Sequence, residues 1–227
     1  MTEPHTVALE VRDLAVGYHE APILTHVTAR WALGVHLLLG ANGSGKSTFL
    51  RTLAGVIPPL EGTACIVGGD PWRTPRLKRQ IGYLAHQNGW VPRLTVYQHL
   101  DFWARVHGLT ASDRASRIGF VTETYQLQDF VHKPVSHLSQ GQLQRARLGA
   151  VLLPDPRVLL LDEPTAGLDE ETREHIFALL MRERSRRIVL LSTHIPHDVA
   201  VPVDSVARVA SGTIGMDANP DNEGEPF

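Results

Sequence analysis

The chain has 227 residues, of which 43% are hydrophobic, so it is long enough to bury a substantial core and short enough to form one domain. Its formal net charge of -2 at pH 7 argues against a general nucleic-acid-binding protein, which usually carries a basic surface. A single cysteine, Cys65, excludes an internal disulfide and a cysteine-based zinc site, and it fits a reducing compartment. The histidines are scattered without metal-ligand spacing, so we expect no histidine metal centre.

The N-terminal residues 1–10 lack the basic-then-apolar pattern of a signal peptide. No stretch of the sequence approaches the roughly 18 to 20 apolar residues that a membrane-spanning helix needs. We therefore expect a chain that is soluble by itself and that would need to dock on another chain to serve a membrane process.

The first elements in chain order are two strands, a glycine-rich turn and a helix. Residues Val7–Leu14 alternate between apolar and polar side chains, as does part of Ala29–Leu39. The second segment ends in the near-continuous apolar run Val35–Leu39, which is typical of a buried strand. A helical pattern over Ser47–Val56 ends before two prolines. This order of elements is the one that a phosphate-binding loop requires.

The middle of the chain is predicted to be helical. The stretch Leu94–Leu153 contains no convincing strand, Val96 and Leu100 fall at helical spacing with Trp103, and Arg114–Leu127 can continue as helix. We expect a helical subdomain at about 90–153, inserted between sheet elements, with the apolar stripe as its core.

Further strands are predicted in the second half, at Arg157–Leu161 and Ile188–Ser192. Each lies beside a predicted helix, at Gln140–Leu153 and Glu170–Arg184. The alternation of apolar strands with helices predicts an α/β fold with a largely parallel sheet.

The C-terminal composition changes after Ile214, where Asp, Asn, Glu, Gly and Pro dominate. Such a segment has too few apolar residues to form a core. We therefore expect a single domain over 1–215, followed by a disordered acidic tail at 216–227.

The strongest motif follows the buried strand and matches the full phosphate-loop pattern: Gly40, Ala41, Asn42, Gly43, Ser44, Gly45, Lys46, Ser47 and Thr48. Glycines let backbone N–H groups converge on phosphate oxygens, and the following helix adds the positive end of its dipole. Lys46 would bridge the β- and γ-phosphates, and the Ser47 hydroxyl would bind Mg²⁺. A chance glycine-rich turn would lack the lysine, the hydroxyl and both flanking elements.

A second motif is the apolar run Val158–Leu161, which ends in Asp162 and Glu163. Ligands of open α/β sheets bind at the carboxyl ends of strands, where these two carboxylates are expected. Asp162 is suited to hold Mg²⁺ and Glu163 to polarise the attacking water. Alone, the pair could be an ordinary strand end, but the phosphate loop upstream favours the catalytic interpretation.

Five further motifs resemble those of the ATP-binding-cassette family and occur in its order from about Val7 to Ile214. They are Leu138–Gln142, similar to the family signature; Ala166–Asp169, similar to the loop after the paired carboxylates; Ser192–His194, similar to the switch-histidine segment; Gln87, similar to the hinge-loop glutamine; and Tyr18, similar to the adenine-stacking aromatic.

The resemblance implies a P-loop NTPase of the ABC type, with a mostly parallel sheet core, an N-terminal antiparallel β part and the inserted helical subdomain. It also implies an ATPase with ATP and Mg²⁺ as ligands. Gln87 would contact Mg²⁺ and water, His194 would hold the γ-phosphate and water in line, and Tyr18 would stack on adenine.

The signature residues are implied to act across a dimer. In the family, the signature serine and glycine of one cassette contact the γ-phosphate held by a second cassette. Ser139, Gly141, Gln142 and Asp169 are therefore expected to contact nucleotide on a partner cassette, in a homodimer or with a paralogue. The commonest signature has glycine where this chain has Gln140, but the serine and the following glycine are kept.

Three of these motifs also have a simpler interpretation. Ser139 with Gln142 also forms a capping-box pattern, and this role is compatible with phosphate contact. His194 could be a surface histidine at a strand end, and Tyr18 could pack at a sheet edge.

Two classes of function remain open. The first is the motor subunit of a transporter, which would act with a separate transmembrane permease at the inner face of the cell membrane. The similarity of Gly82–Gln87 to exporter ATPases favours export as the direction of transport. In this case Trp90 could anchor the membrane subunit, or it could pack within the hinge. The second is a soluble ABC-type ATPase, for example in iron–sulfur cluster assembly. The signature and the switch histidine argue against a P-loop kinase or GTPase.

Overall fold

Nine strands form two sheets in the described residues of this computed structural model, 9–85, 89–194 and 202–216. The strands are β1 (Leu9–Tyr18), β2 (Ala21–Trp31), β3 (Gly34–Gly40), β4 (Glu61–Ile66), β5 (Ile81–Leu84), β6 (Val158–Asp162), β7 (Ile188–Thr193), β8 (Ser205–Ala210) and β9 (Thr213–Met216). The α-helices in the same residues are α1 (Lys46–Leu53), α2 (Val96–Val106), α3 (Ala111–Thr124), α4 (Gln140–Val151) and α5 (Glu170–Met181).

The larger sheet has six strands in the order β5-β6-β7-β3-β8-β9. All neighbours are parallel except β8 and β9, which form an antiparallel pair. The smaller sheet is antiparallel, with the order β2-β1-β4. The architecture is therefore the mostly parallel core with an N-terminal antiparallel part that the sequence predicted.

The six-stranded sheet separates two apolar cores, because alternate residues of a strand point to opposite faces. On one face, Leu37, Leu159 and Leu191 pack with residues of α2 to α5. On the other face, Leu38 and Leu160 pack with α1 and with the antiparallel sheet. The strands buried on both faces explain why β3, β6 and β7 read as continuous apolar runs.

The helical segment between β5 and β6 contains α2, α3 and α4. Thr95 caps α2 through a capping box with Gln98, and Thr110 caps α3 by accepting a hydrogen bond from the Asp113 N–H. Each cap satisfies N–H groups that a helix start leaves unpaired, which fixes where these helices begin. In the described residues, no helix combines the length and the apolar character needed to cross a membrane.

Most predicted elements are confirmed within a few residues. The strand predicted over Val7–Leu14 is confirmed from Leu9, where the described residues begin, and it continues to Tyr18. The segment predicted as one strand over Ala29–Leu39 is divided between β2 and β3, because Gly34 turns the chain with a φ of 146°. Four short strands, β4, β5, β8 and β9, were not predicted. Met216 is the last residue of β9, and the remainder of the predicted tail, 217–227, lies outside the described residues.

Candidate functional site

Three adjacent strands of the large sheet end at one place. β6, β7 and β3 are neighbours, and their carboxyl ends lead into Asp162 with Glu163, into His194, and into the loop 40–45. Since parallel strands end at the same edge of a sheet, residues far apart in the sequence meet there.

The loop that follows β3 begins α1 at Lys46, with Gly45 as the residue before the helix. Gly45 has a φ of 105°, a conformation that favours glycine, and a Cβ there would lie 2.8 Å from Ile23 Cγ2. The buried hydroxyl of Ser44 has no hydrogen-bond partner among the described residues. The loop therefore ends at a helix N-terminus and leaves a polar group to be satisfied.

Lys46 folds back over this loop. Its Nζ donates hydrogen bonds to Gly40 O (2.8 Å) and Ala41 O (2.9 Å), and the residue is only 4% exposed. Burial lowers the pKa of Lys46, while the carboxylates of Glu163 and Asp162 act in the opposite direction. The ammonium group is thus held at the loop, 3.9 Å from Glu163 Oε1.

Asp162 is buried at the end of β6, and two serines fix its orientation. Ser47 Oγ (2.9 Å) and Ser192 Oγ (2.8 Å) both donate to Oδ1 of Asp162. The other oxygen, Oδ2, is buried and has no hydrogen-bond partner among the described residues. A buried carboxylate oxygen without a donor is costly, and a cation would satisfy it.

Glu163 faces His194 across the strand ends. The distance from Glu163 Oε1 to His194 Nδ1 is 3.3 Å, and the backbone of Glu163 has a φ of 50°. The N–H of Glu163 donates to Ser192 Oγ (3.0 Å). A carboxylate, an imidazole and the ammonium group of Lys46 therefore converge beside the loop.

These groups fit a nucleotide phosphate with a divalent cation. Mg²⁺ prefers oxygen ligands, and the Ser47 hydroxyl bonds to Oδ1 of the same carboxylate whose Oδ2 has no hydrogen-bond partner among the described residues. An anion fits the start of α1, where Lys46 supplies positive charge. Thr48 is buried in the first turn of α1, and Asn42 and Gly43 are exposed in the loop.

Tyr18 lies at the end of β1, and its hydroxyl is hydrogen-bonded to a residue of α1. Arg51 Nη1 donates to Tyr18 Oη at 3.0 Å, and Tyr18 is 39% exposed. Hydrogen bonding to Tyr18, with a further contribution from Tyr83, raises the pKa of Arg51. An exposed aromatic ring anchored to α1 could present a face to a flat ligand.

A second group of predicted residues lies apart from this loop. Ser139, Gly141, Gln142 and Asp169 line one cavity of about 680 Å³ between the starts of α4 and α5. None of the residues that line this cavity belongs to the loop 40–48. The structure thus groups the predicted site residues into two clusters on one chain.

The capping box predicted at the start of α4 is confirmed. Ser139 Oγ accepts from the Gln142 N–H (3.2 Å), and Gln142 Oε1 accepts from the Ser139 N–H (3.1 Å). Asp169 caps α5 in turn, accepting from the N–H of Thr172 (2.9 Å) and from its hydroxyl (3.1 Å). The bond from the Thr172 backbone is the main cause that lowers the pKa of Asp169.

A groove of about 360 Å³ lies between the large sheet and the helical segment. It is lined by Gly82, Trp90 and Trp103 among others, with the cations Lys78 and Arg147. Trp90 is 9% exposed and stacks on His99, with 4.3 Å between ring centroids. Trp90 therefore packs internally, as one of the two interpretations predicted, and it also lines the groove; its role as an anchor stays a prediction.

Sequence reasoning assigned no role to three residues, and one predicted residue cannot be placed. Ser192 contacts both acidic residues, Arg51 holds Tyr18, and Thr172 lies against Gly141. Of these three residues, only Ser192 had a signal in the sequence, because a hydroxyl residue ends the apolar run of β7. Gln87 lies outside the described residues.

Comparison with known proteins gives one family. The family model described as ABC transporter matches residues 32–166. The cytochrome c biogenesis ATP-binding export protein CcmA of Brucella abortus is 36% identical over 83% of this chain and 86% of its own. The sulfate/thiosulfate import ATP-binding protein CysA of Mycolicibacterium paratuberculosis is 34% identical over 92% of this chain, which spans only 58% of that relative.

The fold comparison agrees with the sequence comparison. The structure of cbiO1 from Clostridium perfringens, part of the ABC transporter complex cbiONQ, has a TM-score of 0.86 and 26% sequence identity. The match covers 95% of this chain and 90% of that one. Similarity in both sequence and fold thus extends over nearly the whole chain.

Proposed function

Since this chain belongs to the ABC transporter family, we propose that it binds Mg·ATP, hydrolyses it and powers translocation through a separate membrane subunit. The observation that supports this most is the convergence of Lys46, the acids Asp162 and Glu163, and His194 beside the ends of three adjacent strands, β3, β6 and β7. Lysine, a hydroxyl and two carboxylates at a helix N-terminus are the groups that phosphoryl transfer from a nucleotide uses.

The residues of the loop and the acids have separate roles in this proposal. Lys46 and the N–H groups at the start of α1 bind the phosphates, and Ser47 with Asp162 holds Mg²⁺, which neutralises phosphate charge when bound. Glu163 orients the attacking water and accepts its proton, and His194 positions the γ-phosphate. Gln87 is proposed to contact the metal and water, and Tyr18 to stack on adenine.

A second copy of this chain or a paralogue completes the site in this proposal. Ser139 and Gly141 occupy a cluster separate from the loop 40–48, which is the arrangement that a site shared between two chains requires. Gln142 supports Ser139 through the capping box, and Asp169 lines the same cavity. Nucleotide would then hold the two chains together, because its phosphates satisfy donors from both.

We propose that the groove beside Trp90 receives a segment of the membrane subunit, which places the chain at the cytoplasmic face of the membrane. Aromatic side chains at the centre of a concave surface are common anchors of interfaces. Export is proposed from the similarity of Gly82–Gln87 to exporter ATPases, while the relatives include proteins named for export and for import. In this proposal the domain spans 1–215, with a helical subdomain at about 90–153 and a tail at 216–227.

The function is tested by replacing the lysine of the loop. Lys46→Ala is expected to lower ATP turnover by roughly 100-fold or more, because it removes the cation that contacts the phosphates. Lys133→Ala, which removes an exposed lysine between α3 and α4, serves as the control and should keep wild-type turnover. Wild-type ATP affinity and turnover in Lys46→Ala would disprove the assignment of the site.

A further inference from the structure

Ser192 carries a hydroxyl group in a buried part of the sheet where the preceding residues of its strand are aliphatic. It lies in β7 between Leu38 of β3 and Asp162 of β6 in the ladder, and it is completely buried. The four residues before it in β7 are aliphatic and buried. A buried hydroxyl among aliphatic side chains costs free energy unless it is hydrogen-bonded, so its partners indicate what it does.

The partners of Ser192 are the two acidic residues of the site. Its Oγ donates to Asp162 Oδ1 (2.8 Å) and accepts from the Glu163 N–H (3.0 Å). A serine hydroxyl has one proton to donate, so the donor and an acceptor position are both used by the acidic pair. One side chain thus orients the carboxylate of one acid and the backbone of the next.

The contact with Glu163 acts at a strained backbone. Glu163 has a φ of 50°, and the left-handed region costs a residue other than glycine roughly 1–2 kcal/mol. The bond from its N–H to Ser192 helps to hold that conformation, which directs the carboxylate towards His194 and Lys46. An extended backbone at this position would move the carboxylate away from both.

The contact with Asp162 fixes a carboxylate plane. Oδ1 receives hydrogen bonds from Ser47, which precedes Asp162 in the sequence, and from Ser192, which follows it. Oδ2 is left without a hydrogen-bond partner among the described residues. With only Ser47 as donor, the carboxylate could rotate about its bond to Cβ. Ser192 therefore acts together with Ser47 to leave Oδ2 of Asp162 available to a cation.

From these contacts we propose that Ser192 is a positioning residue for hydrolysis, which sets Asp162 and Glu163 in their working geometry through one buried hydroxyl. This inference rests on the proposed function. Ser192 contacts neither the loop nor any cation of the site in the contacts described above, so it acts through the two acids. Its removal is expected to affect turnover and metal dependence, and to leave ATP affinity nearly unchanged.

The test compares Ser192→Ala with Ser205→Ala, which removes another hydroxyl from the same sheet, where Ser205 bonds to His36. For each protein, kcat, the KM for ATP and the concentration of Mn²⁺, supplied in place of Mg²⁺, for half-maximal activity are measured, and thermal unfolding checks the fold. Ser192→Ala is expected to lower kcat about 10- to 100-fold and to raise the Mn²⁺ requirement several-fold, since partners of metal ligands have effects of this size. The KM of Ser192→Ala for ATP should change less than about twofold. Ser205→Ala should match the wild type in kcat, KM and Mn²⁺ requirement.

Two outcomes for Ser192→Ala overturn the inference. One is a folded Ser192→Ala with wild-type kcat and Mn²⁺ dependence; the other is a raised KM with unchanged kcat. If the alanine variant does not fold, Ser192→Cys replaces it, because a thiol has nearly the same shape as a hydroxyl and is a weaker hydrogen-bond donor. Wild-type kcat and Mn²⁺ dependence in Ser192→Cys would also refute the inference. A wild-type chain that does not hydrolyse ATP would instead refute the proposed function.

Discussion

The backbone of Gly141 lies against the side chain of Thr172, so that a Cβ at position 141 would fall 2.5 Å from Thr172 Cγ2. Thr172 cannot turn away freely, because its hydroxyl is hydrogen-bonded to Asp169. The contact joins the start of α4 to the start of α5. Glycine at position 141 is therefore required by packing within one chain, whatever it contacts in a second chain.

Gly141→Ala is expected to lower the free energy of unfolding by about 1–3 kcal/mol, the usual cost of forcing a methyl group into an occupied space. Gly119→Ala is the matched control, since Gly119 lies in α3 and its Cβ would meet nothing within 4 Å. Because alanine is the better helix former, this control should gain roughly 0.5–1 kcal/mol. Denaturant unfolding measures both, and a stabilised Gly141→Ala would show that the contact is not restrictive.

Glu163→Gln is expected to bind ATP and to accumulate as a nucleotide-bound dimer. The substitution keeps the shape of the side chain and removes the proposed base, so the proposed contacts between the chains should form while hydrolysis should not release them. Size-exclusion chromatography with saturating Mg·ATP measures the dimer, and Glu123→Gln, on the exposed surface of α3, is the control. A Glu163→Gln protein that stays monomeric under these conditions would contradict the shared site.

Two substitutions at Ser139 separate helix capping from phosphate contact. Ser139→Asp keeps an N-cap acceptor but places negative charge where phosphate is expected, and Ser139→Arg removes the cap and adds bulk. Both should bind ATP as monomers with turnover reduced roughly 10-fold or more. Wild-type turnover in Ser139→Asp would mean that Ser139 serves only as a cap.

Mixing Ser139→Arg with Lys46→Ala tests the same site by complementation. In a mixed dimer, one site lacks both groups and the other is intact. Some ATPase activity should return in the mixture, to at most about half of the wild-type rate if one site can act alone. The mixture is compared with each variant alone at equal total protein.

His36 should make the fold sensitive to acid. Burial lowers its pKa, partly offset by its bond to Ala32 O and by the charge of Asp204. The unfolded chain therefore binds a proton first, and the free energy of unfolding should fall as the pH drops below about 6.5. His36→Gln keeps a donor and an acceptor without titrating.

The slope of stability against pH between 7.5 and 5.5 should therefore be smaller in His36→Gln than in the wild type. It should not vanish, because burial also lowers the pKa values of His107 and His175, which remain in the variant. Urea unfolding at several pH values measures the slope. Equal slopes in the two proteins would show that His36 does not contribute.

The sequence predicted the elements whose pattern is local. β6 and β7 are apolar on both faces, and α4 begins with a capping box, so their positions were predicted to within a few residues. β5 has four residues, one of them Gly82, and β4 is half polar at a sheet edge. Such strands exist because of the strands beside them, which no local pattern encodes.

The site also contains residues that a local motif predicts and contacts that only the folded sheet creates. Lys46 and Glu163 could be predicted because each follows a buried strand in a recognisable motif. The bonds from Ser47 and Ser192 to one oxygen of Asp162 could not, because they depend on strand register and side-chain orientation in the folded sheet. The anchoring of Tyr18 by Arg51 likewise joins residues whose types suggest no pairing.

The meeting of β3, β6 and β7 at one edge also has a consequence for synthesis on the ribosome. Ser47 and Asp162 are 115 positions apart in the sequence, and Ser192 of β7 follows later still. Contacts between such distant segments form only when the sheet is nearly complete. A growing chain therefore carries the phosphate loop long before it has the acids, and the proposed function implies that it cannot consume ATP until β7 has left the ribosome and taken its place between β6 and β3.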